Sequence, residues 1–159
     1  AGDRGLSLRS QTGVLLLCNG VPVHWRSKKQ PVTSVTSAAA EIYALAEAAR
    51  DARLNAWHAE EMGIERPMPI EMQVDNAAGI SFQAKMNPDS KLKGVYDLRW
   101  QWVQELQDRQ QIKAVKVHTD YNIADVLTKC HGRSVFNRHI NLVRDKADQL
   151  ARMASCGGA

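Results

Sequence analysis

The sequence predicts an α/β domain in which a mixed sheet is flanked by helices, and three observations lead to that fold class. Two short apolar runs surround Asn19-Gly20, a dipeptide that is a strong signal for a tight β-hairpin. Strand-like and helix-like segments then alternate along the rest of the chain. The length of 159 residues is enough to bury the core of one such domain.

The first part of the chain begins with strands and continues into a long helix. Residues 13–18 and 21–26 are predicted to form the hairpin, and residues 32–35 a third strand. A helix is predicted from Ser37, which can cap its first turn, to Met62. The apolar face of this helix is predicted to contain Ile42, Leu45, Ala46, Ala49 and Leu54.

The alternation continues after a proline-rich break. The segment from Ile70 to Val74 alternates like a strand and ends at Asp75-Asn76, and a short helix is predicted at residues 77–84. Residues 94–109 have the pattern of a helix. The residues of that helix that are predicted to point inward are Trp100, Val103 and Leu106, with Trp102 more exposed than Trp100.

The last part of the chain contains one further strand and two helices in pattern. Residues 112–117 alternate like a strand, residues 122–130 predict a short helix, and residues 133–153 predict an amphipathic helix. The apolar stripe of the last helix is predicted to be Phe136, Ile140, Val143, Ala147 and Leu150. We therefore divide the chain into a domain at residues 1–132 and a C-terminal amphipathic helix with a flexible tail at residues 133–159.

Composition narrows the class of protein. Lys and Arg number 21 and Asp and Glu 17, so the net charge is +4, which permits contact with a polyanion without requiring it. No apolar run approaches the roughly 18 residues that cross a membrane. The three cysteines are far apart and predict neither a zinc site nor a disulfide framework, which favours an intracellular, reducing compartment. Because the first residue is not Met, we expect a fragment or a processed product.

Three acids fall where the predicted elements would bring them to one end of a sheet. Glu41 lies in the first turns of the long helix, Asp75 ends a strand, and Asp125 lies in the first turn of a short helix. Each acid alone is a weak signal. An acid near a helix start more often interacts with the helix dipole, and Asp-Asn after a strand is usually a turn.

The segments around these acids form a set with two others. The three that carry the acids are Ser37-Ala38-Ala39-Ala40-Glu41-Ile42-Tyr43-Ala44-Leu45, Val74-Asp75-Asn76-Ala77-Ala78-Gly79-Ile80 and Asn122-Ile123-Ala124-Asp125-Val126-Leu127-Thr128-Lys129. The other two are Arg9-Ser10-Gln11-Thr12-Gly13 and Trp25-Arg26-Ser27-Lys28-Lys29-Gln30. In order and spacing, this set resembles the ribonuclease H domain of copia-type retrotransposon Pol polyproteins, from residue 1 to about residue 130.

The resemblance implies a ribonuclease H-like fold and a nuclease that hydrolyses the RNA strand of RNA–DNA hybrids during reverse transcription. It implies two Mg²⁺ ions, with Mn²⁺ as a substitute, held by carboxylates. Glu41 and Asp75 would hold one ion, and Asp125 the other, beside the attacking water. The implied partners are the hybrid and an upstream reverse transcriptase domain of the same polyprotein, without a membrane. The implied location is the cytoplasm or a virus-like particle, or the nucleus.

Substrate contacts are also implied by the resemblance. Lys28, Lys29 and Gln30 follow the hairpin and are candidates for phosphate contacts. Asn76, beside the proposed metal site, is a candidate for reaching a ribose 2′-hydroxyl. We interpret His118 as a strand-end residue, and His131 and His139 as surface residues.

The start of the sequence departs from the family pattern. Ala1-Gly2-Asp3 matches the residues that follow the first strand of the family, so that strand and its metal-bridging Asp are expected to lie before residue 1 or to be absent. Asp3 aligns with a loop, and Ala39 and Ile42 replace a common Glu and Tyr. We therefore expect this chain alone to be weak or inactive as an enzyme. The alternative function is a catalytically inactive module that binds hybrid or serves as a structural partner.

Overall fold

A computed structural model describes residues 9–31, 33, 37–75 and 98–156 and has the α/β architecture that the sequence predicts. The helix predicted at residues 77–84 lies outside these ranges. So does the strand predicted at residues 32–35, apart from Thr33, which belongs to no strand.

The first element is the β-hairpin that Asn19-Gly20 predicts. Strand β1 (Gln11–Cys18) pairs antiparallel with β2 (Val21–Lys29). The two turn residues have positive φ angles of 48° and 74°, which a type I′ turn requires and which Asn and Gly tolerate best. The strand β2 continues past the predicted end at residue 26, so its last residues, Lys28 and Lys29, lie on a strand and not in a loop.

The remaining helices and strands alternate. Helix α1 (Ser37–Glu61) leads to β3 (Ile70–Val74), and α2 (Leu98–Asp108) leads to β4 (Ile112–Lys116). The last helix is α3 (Arg133–Cys156). None of the helices within the described ranges is long and apolar enough to cross a membrane.

The segment predicted as a short helix at residues 122–130 adopts a tighter conformation. It forms a 3₁₀ helix from Ile123 to Leu127, preceded by another at Thr119–Tyr121. Five residues are too few to complete a stable α-helix, and short 3₁₀ turns are common as connectors. The Ile123–Leu127 3₁₀ helix packs against both β1 and α3, and this position places Asp125.

The central core lies between α1, α2 and the pair β3–β4. It is formed by Leu45, Ala46, Ala49, Met72, Val103, Leu106 and Ile112. The predicted inward faces of α1 and α2 are thus largely confirmed, and Trp100 is more buried than Trp102, as predicted. Leu54 is instead 51% exposed, because at 3.6 residues per turn it lies roughly 180° around α1 from the buried Leu45. Phe136, predicted to be buried on α3, is 46% exposed.

Within the described residues the strands form two separate pairs, whereas the sequence predicts one mixed sheet that lacks its first strand. β1 pairs with β2 antiparallel, and β3 pairs with β4 parallel, from Ile70 opposite Ile112 to Val74 opposite Lys116. Among the described residues no strand joins the two pairs. Each of β1 and β3 therefore has one edge whose backbone groups no described strand pairs.

Charged side chains attach the hairpin to α1. The guanidinium of Arg26 on β2 lies between two acids of α1, with Nη1 3.0 Å from Glu47 Oε2 and Nη2 2.7 Å from Asp51 Oδ2. His24 Nε2 is 3.3 Å from the same Asp51 oxygen. Because Asp51 is buried, this pairing keeps its charge from being isolated, and it fixes the hairpin over the helix that carries Glu41.

Candidate active site

One cavity, of about 810 Å³, is lined by all three predicted acids, Glu41, Asp75 and Asp125. α1 supplies Glu41, the end of β3 supplies Asp75, and the Ile123–Leu127 3₁₀ helix supplies Asp125. These three residues are far apart in the sequence. The fold therefore brings the three acids to one recess, as the resemblance implies.

The unpaired edges of β1 and β3 line this same cavity. β1 contributes the consecutive residues Gly13 to Leu17, and β3 contributes Ile70 to Val74. Successive side chains of a strand point to opposite faces, so a wall made of consecutive residues lies along the edge of each strand. Small and apolar residues of α1, including Ala44, Leu45 and Ala48, line the cavity beside Glu41. The recess is thus bounded by two strand edges and one helix.

Glu41 is the acid whose ionisation the site changes most clearly. Burial raises the pKa of its carboxyl above the ordinary value of 4.5, and the negative charges of Asp75 and Asp125 raise that pKa further. The positive charge of Lys129 acts in the opposite direction. The charges of both aspartates and of the lysine therefore act on the Glu41 carboxyl, and an added cation would favour its charged form.

Asp125 is buried, and its carboxylate already has partners. The Thr128 hydroxyl donates to Oδ1 at 2.9 Å, and Lys129 Nζ lies 3.0 Å from Oδ2. Asp125 is 7% exposed, whereas the Lys129 side chain is 58% exposed. The sequence interpretation did not assign a role to Lys129, although its spacing of four residues from Asp125 is a known signal for an ion pair on a helix.

Two histidines near Asp125 are not surface residues, so that interpretation was wrong. His131 Nε2 lies 3.1 Å from the Asp125 carbonyl oxygen and 3.4 Å from Oδ2. His139 is 1% exposed, and its ring centroid lies 5.7 Å from that of His131. His139 is buried and His131 is largely covered because α3 packs across the 3₁₀ helix, a tertiary contact that local charge patterns do not indicate. His118, by contrast, is exposed after β4, as its interpretation as a strand-end residue requires.

Gly13 allows β1 to approach the 3₁₀ helix closely. A Cβ at this position would lie 2.8 Å from the Ala124 carbonyl oxygen, 2.8 Å from Thr128 Cγ2 and 2.9 Å from Leu127 Cβ. Real Cβ atoms do not come this near to other atoms, and the carbonyl belongs to the backbone, which cannot rotate away. The missing side chain of Gly13 thus sets the distance between β1 and the segment that carries Asp125.

Substitution Gly13→Ala is expected to lower the free energy of unfolding by about 2 kcal/mol, because the added methyl forces the 3₁₀ helix away from β1. Urea unfolding followed by circular dichroism measures this loss. Gly132→Ala is the matched control, since a Cβ there meets nothing within 4 Å, and its stability should be unchanged or slightly higher. Equal stabilities of the two variants would show that the close approach is not required.

The predicted substrate-binding residues separate into three groups. Lys28 and Lys29 are exposed at the end of β2 and are accessible to a ligand. Gln30 is buried, and its side-chain amide donates to Thr12 Oγ1 at 3.1 Å and to the Ala40 carbonyl oxygen at 2.9 Å. Gln30 therefore joins the end of the hairpin to the start of α1, a structural role that the sequence did not predict. Asn76 lies outside the described residues.

The chemistry of the three acids suits a hard divalent cation, but the three carboxylates are not arranged as a complete set of metal ligands. Carboxylate oxygens are the ligands that Mg²⁺ prefers, and the repulsion among three acids in one recess favours a bound cation. Within the described ranges, however, no three side chains of His, Cys, Asp or Glu are arranged to hold a metal ion. The acids thus share a cavity without forming a complete set of ligands.

Comparison with known proteins indicates the kind of polypeptide to which the chain is similar. No family model and no solved structure matches it. The retrovirus-related Pol polyprotein from transposon TNT 1-94 of Nicotiana tabacum is 27% identical over 128 residues. The match covers 80% of this chain but only 10% of that polyprotein, so the chain spans about a tenth of the length of this relative. The chain is therefore similar to one part of a retrotransposon Pol polyprotein.

Proposed function

We propose that this chain is the ribonuclease H domain of a copia-type Pol polyprotein, whose parent protein hydrolyses the RNA strand of RNA–DNA hybrids. The observation that carries the proposal is the cavity that Glu41, Asp75 and Asp125 line together. Its support is electrostatic as well as geometric, since both aspartates raise the pKa of Glu41. The similarity to a Pol polyprotein supports the proposed polyprotein context. Within that context we propose a reverse transcriptase domain upstream.

The proposed cofactor is a pair of Mg²⁺ ions, which Mn²⁺ can replace. Such ions, when bound, activate a water for attack on a phosphodiester and stabilise the leaving oxygen. Glu41 and Asp75 would hold one ion and Asp125 the other. In the absence of cations, the three carboxylates would repel a phosphate group, so these residues bind substrate only when their charge is neutralised.

We propose that one further carboxylate, from a strand that is added between β1 and β3, completes the set of metal ligands. The cavity between β1 and β3 has strand edges along two sides, and a strand placed there would complete a mixed sheet. An acid on such a strand could then lie in the cavity that Glu41, Asp75 and Asp125 line. We propose that the segment preceding residue 1 in the parent protein supplies this strand.

The proposed substrate contacts use exposed lysines of β2 and the asparagine that follows Asp75. Lys28 and Lys29, exposed on β2, would bind backbone phosphates of the hybrid. Asn76 would distinguish RNA from DNA through a 2′-hydroxyl. A mild net charge of +4 agrees with an acidic ligand.

A second function is favoured by a specific observation. The described residues contain no group arranged to hold a metal ion, and Asp125 is already paired with Lys129. A module that binds hybrid without cutting it would have these features. The two functions differ in whether the chain with its upstream residues cleaves a hybrid.

The test is cleavage of an end-labelled RNA–DNA hybrid by the chain extended at its N-terminus. We expect cuts in the RNA strand with Mg²⁺ or Mn²⁺, none with EDTA, and none in a DNA duplex of the same sequence. Asp125→Asn should abolish the cuts, since Asp125 would hold the ion beside the attacking water. Hybrid binding without cleavage at any metal concentration would favour the inactive module, and the loss of both would contradict both functions.

A further inference from the structure

Both oxygens of the Asp125 carboxylate have partners within the chain. Oδ1 accepts the Thr128 hydroxyl, and Oδ2 lies 3.0 Å from Lys129 Nζ. Lys129 also lines the cavity, and its charge acts on Glu41 as well as on Asp125. One ammonium group thus pairs with Asp125 and acts through its charge on Glu41, two of the acids that the proposed function assigns to cations.

We propose that Lys129 is an internal counter-ion of the acidic cavity, which a divalent cation must displace in order to bind. This inference rests on the proposed function, because it assumes that Asp125 is a metal ligand. The positive charge of the ammonium partly compensates the negative charge of the carboxylates, and so limits the repulsion among them. It also competes with the cation for Asp125 Oδ2.

The position of Lys129 suits it for this exchange. Its side chain is mostly exposed and has four rotatable bonds, so the ammonium can leave Oδ2 without disturbing the core. Asp125 cannot move as easily, because it is buried and the Thr128 hydroxyl and His131 fix it. The mobile partner of the pair is therefore the lysine, and the fixed partner is the carboxylate.

Lys129→Met tests the exchange, since methionine removes the charge and keeps most of the stem. We expect Lys129→Met to bind Mn²⁺ about fivefold more tightly than the wild-type chain, measured by electron paramagnetic resonance of free Mn²⁺. Lys129→Arg should bind no more tightly than wild type, because it retains the positive charge. Lys113→Met is the matched control, because it removes one positive charge from an exposed position of β4 outside the cavity lining.

A second readout is thermal stability, which does not depend on catalysis. In EDTA, Lys129→Met should unfold at a lower temperature than wild type, because the acids lose their counter-ion. At saturating Mn²⁺ this difference should disappear, since tighter binding stabilises the variant more. Equal Mn²⁺ affinities of Lys129→Met, Lys113→Met and wild type would overturn the inference.

Acid variants distinguish this failure from failure of the proposed function. If Glu41→Gln and Asp125→Asn weaken Mn²⁺ binding while Lys129→Met leaves it unchanged, only the role of Lys129 is wrong. If neither acid variant alters the Mn²⁺ affinity of the wild-type chain, the cavity is not a metal site, and both proposals are overturned.

Discussion

A form of this chain extended by about 15 upstream residues of its parent protein is expected to cleave an RNA–DNA hybrid about 100-fold faster than residues 1–159 alone. The physical reason is the cavity bounded by the edges of β1 and β3, where one added strand can pair on both sides. An acid on that strand would join Glu41, Asp75 and Asp125. A shared ligand contributes roughly 3 kcal/mol to the transition state, and each 1.36 kcal/mol is about tenfold in rate.

The measurement is the initial rate of cleavage of a labelled hybrid at saturating Mg²⁺. An extension of equal length made of Gly and Ser controls for chain length, and replacing each Asp of the native extension by Asn tests the added carboxylate. The native extension should also raise the urea midpoint, because it pairs backbone groups at two strand edges. Full activity of residues 1–159 without any extension would contradict the proposed strand and its acid.

The elements that could be predicted from the sequence are those fixed by local signals. Asn19-Gly20 specifies a hairpin because both residues tolerate positive φ, and the alanine-rich period of α1 specifies a helix over almost its observed length. The 3₁₀ helix at Ile123–Leu127 could not be predicted in this detail, because its packing between β1 and α3 shapes it. The exposure of Leu54, by contrast, could have been predicted, because at 3.6 residues per turn it lies roughly 180° around α1 from Leu45.

The sequence predicts the three acids of the candidate site, but it does not predict the lysine and the histidine that contact Asp125. Glu41, Asp75 and Asp125 were proposed from the family resemblance, and whether they act as metal ligands stays a prediction. Lys129 stands in the same motif as Asp125, so its role had a signal in the i,i+4 spacing. His131 had none, since its contact with Asp125 depends on the way α3 covers the 3₁₀ helix.

Glu41→Gln is expected to have opposite effects on activity and stability. In the extended chain the cleavage rate should fall by about 100-fold or more, because the neutral amide is a poor ligand for Mg²⁺. In EDTA at pH 7 the variant should be more stable than wild type, since it removes a buried charge that Asp75 and Asp125 repel. Glu61→Gln, an exposed substitution at the other end of α1, should alter neither property.

The pH dependence of this stability gain identifies its cause. The folded chain holds the Glu41 proton more tightly than the unfolded chain, because burial and the two aspartates raise the pKa above 4.5. Between the unfolded and the folded pKa the native state binds more protons, so wild-type stability decreases as pH rises through that range. Glutamine does not titrate, so the advantage of Glu41→Gln in urea unfolding should be small at pH 4, grow above the unfolded pKa and then level off. Saturating Mg²⁺ should reverse the advantage, because it binds the wild-type carboxylate. An advantage that stays constant between pH 4 and pH 7 would indicate a packing effect, and charge repulsion in the cavity would then not be its source.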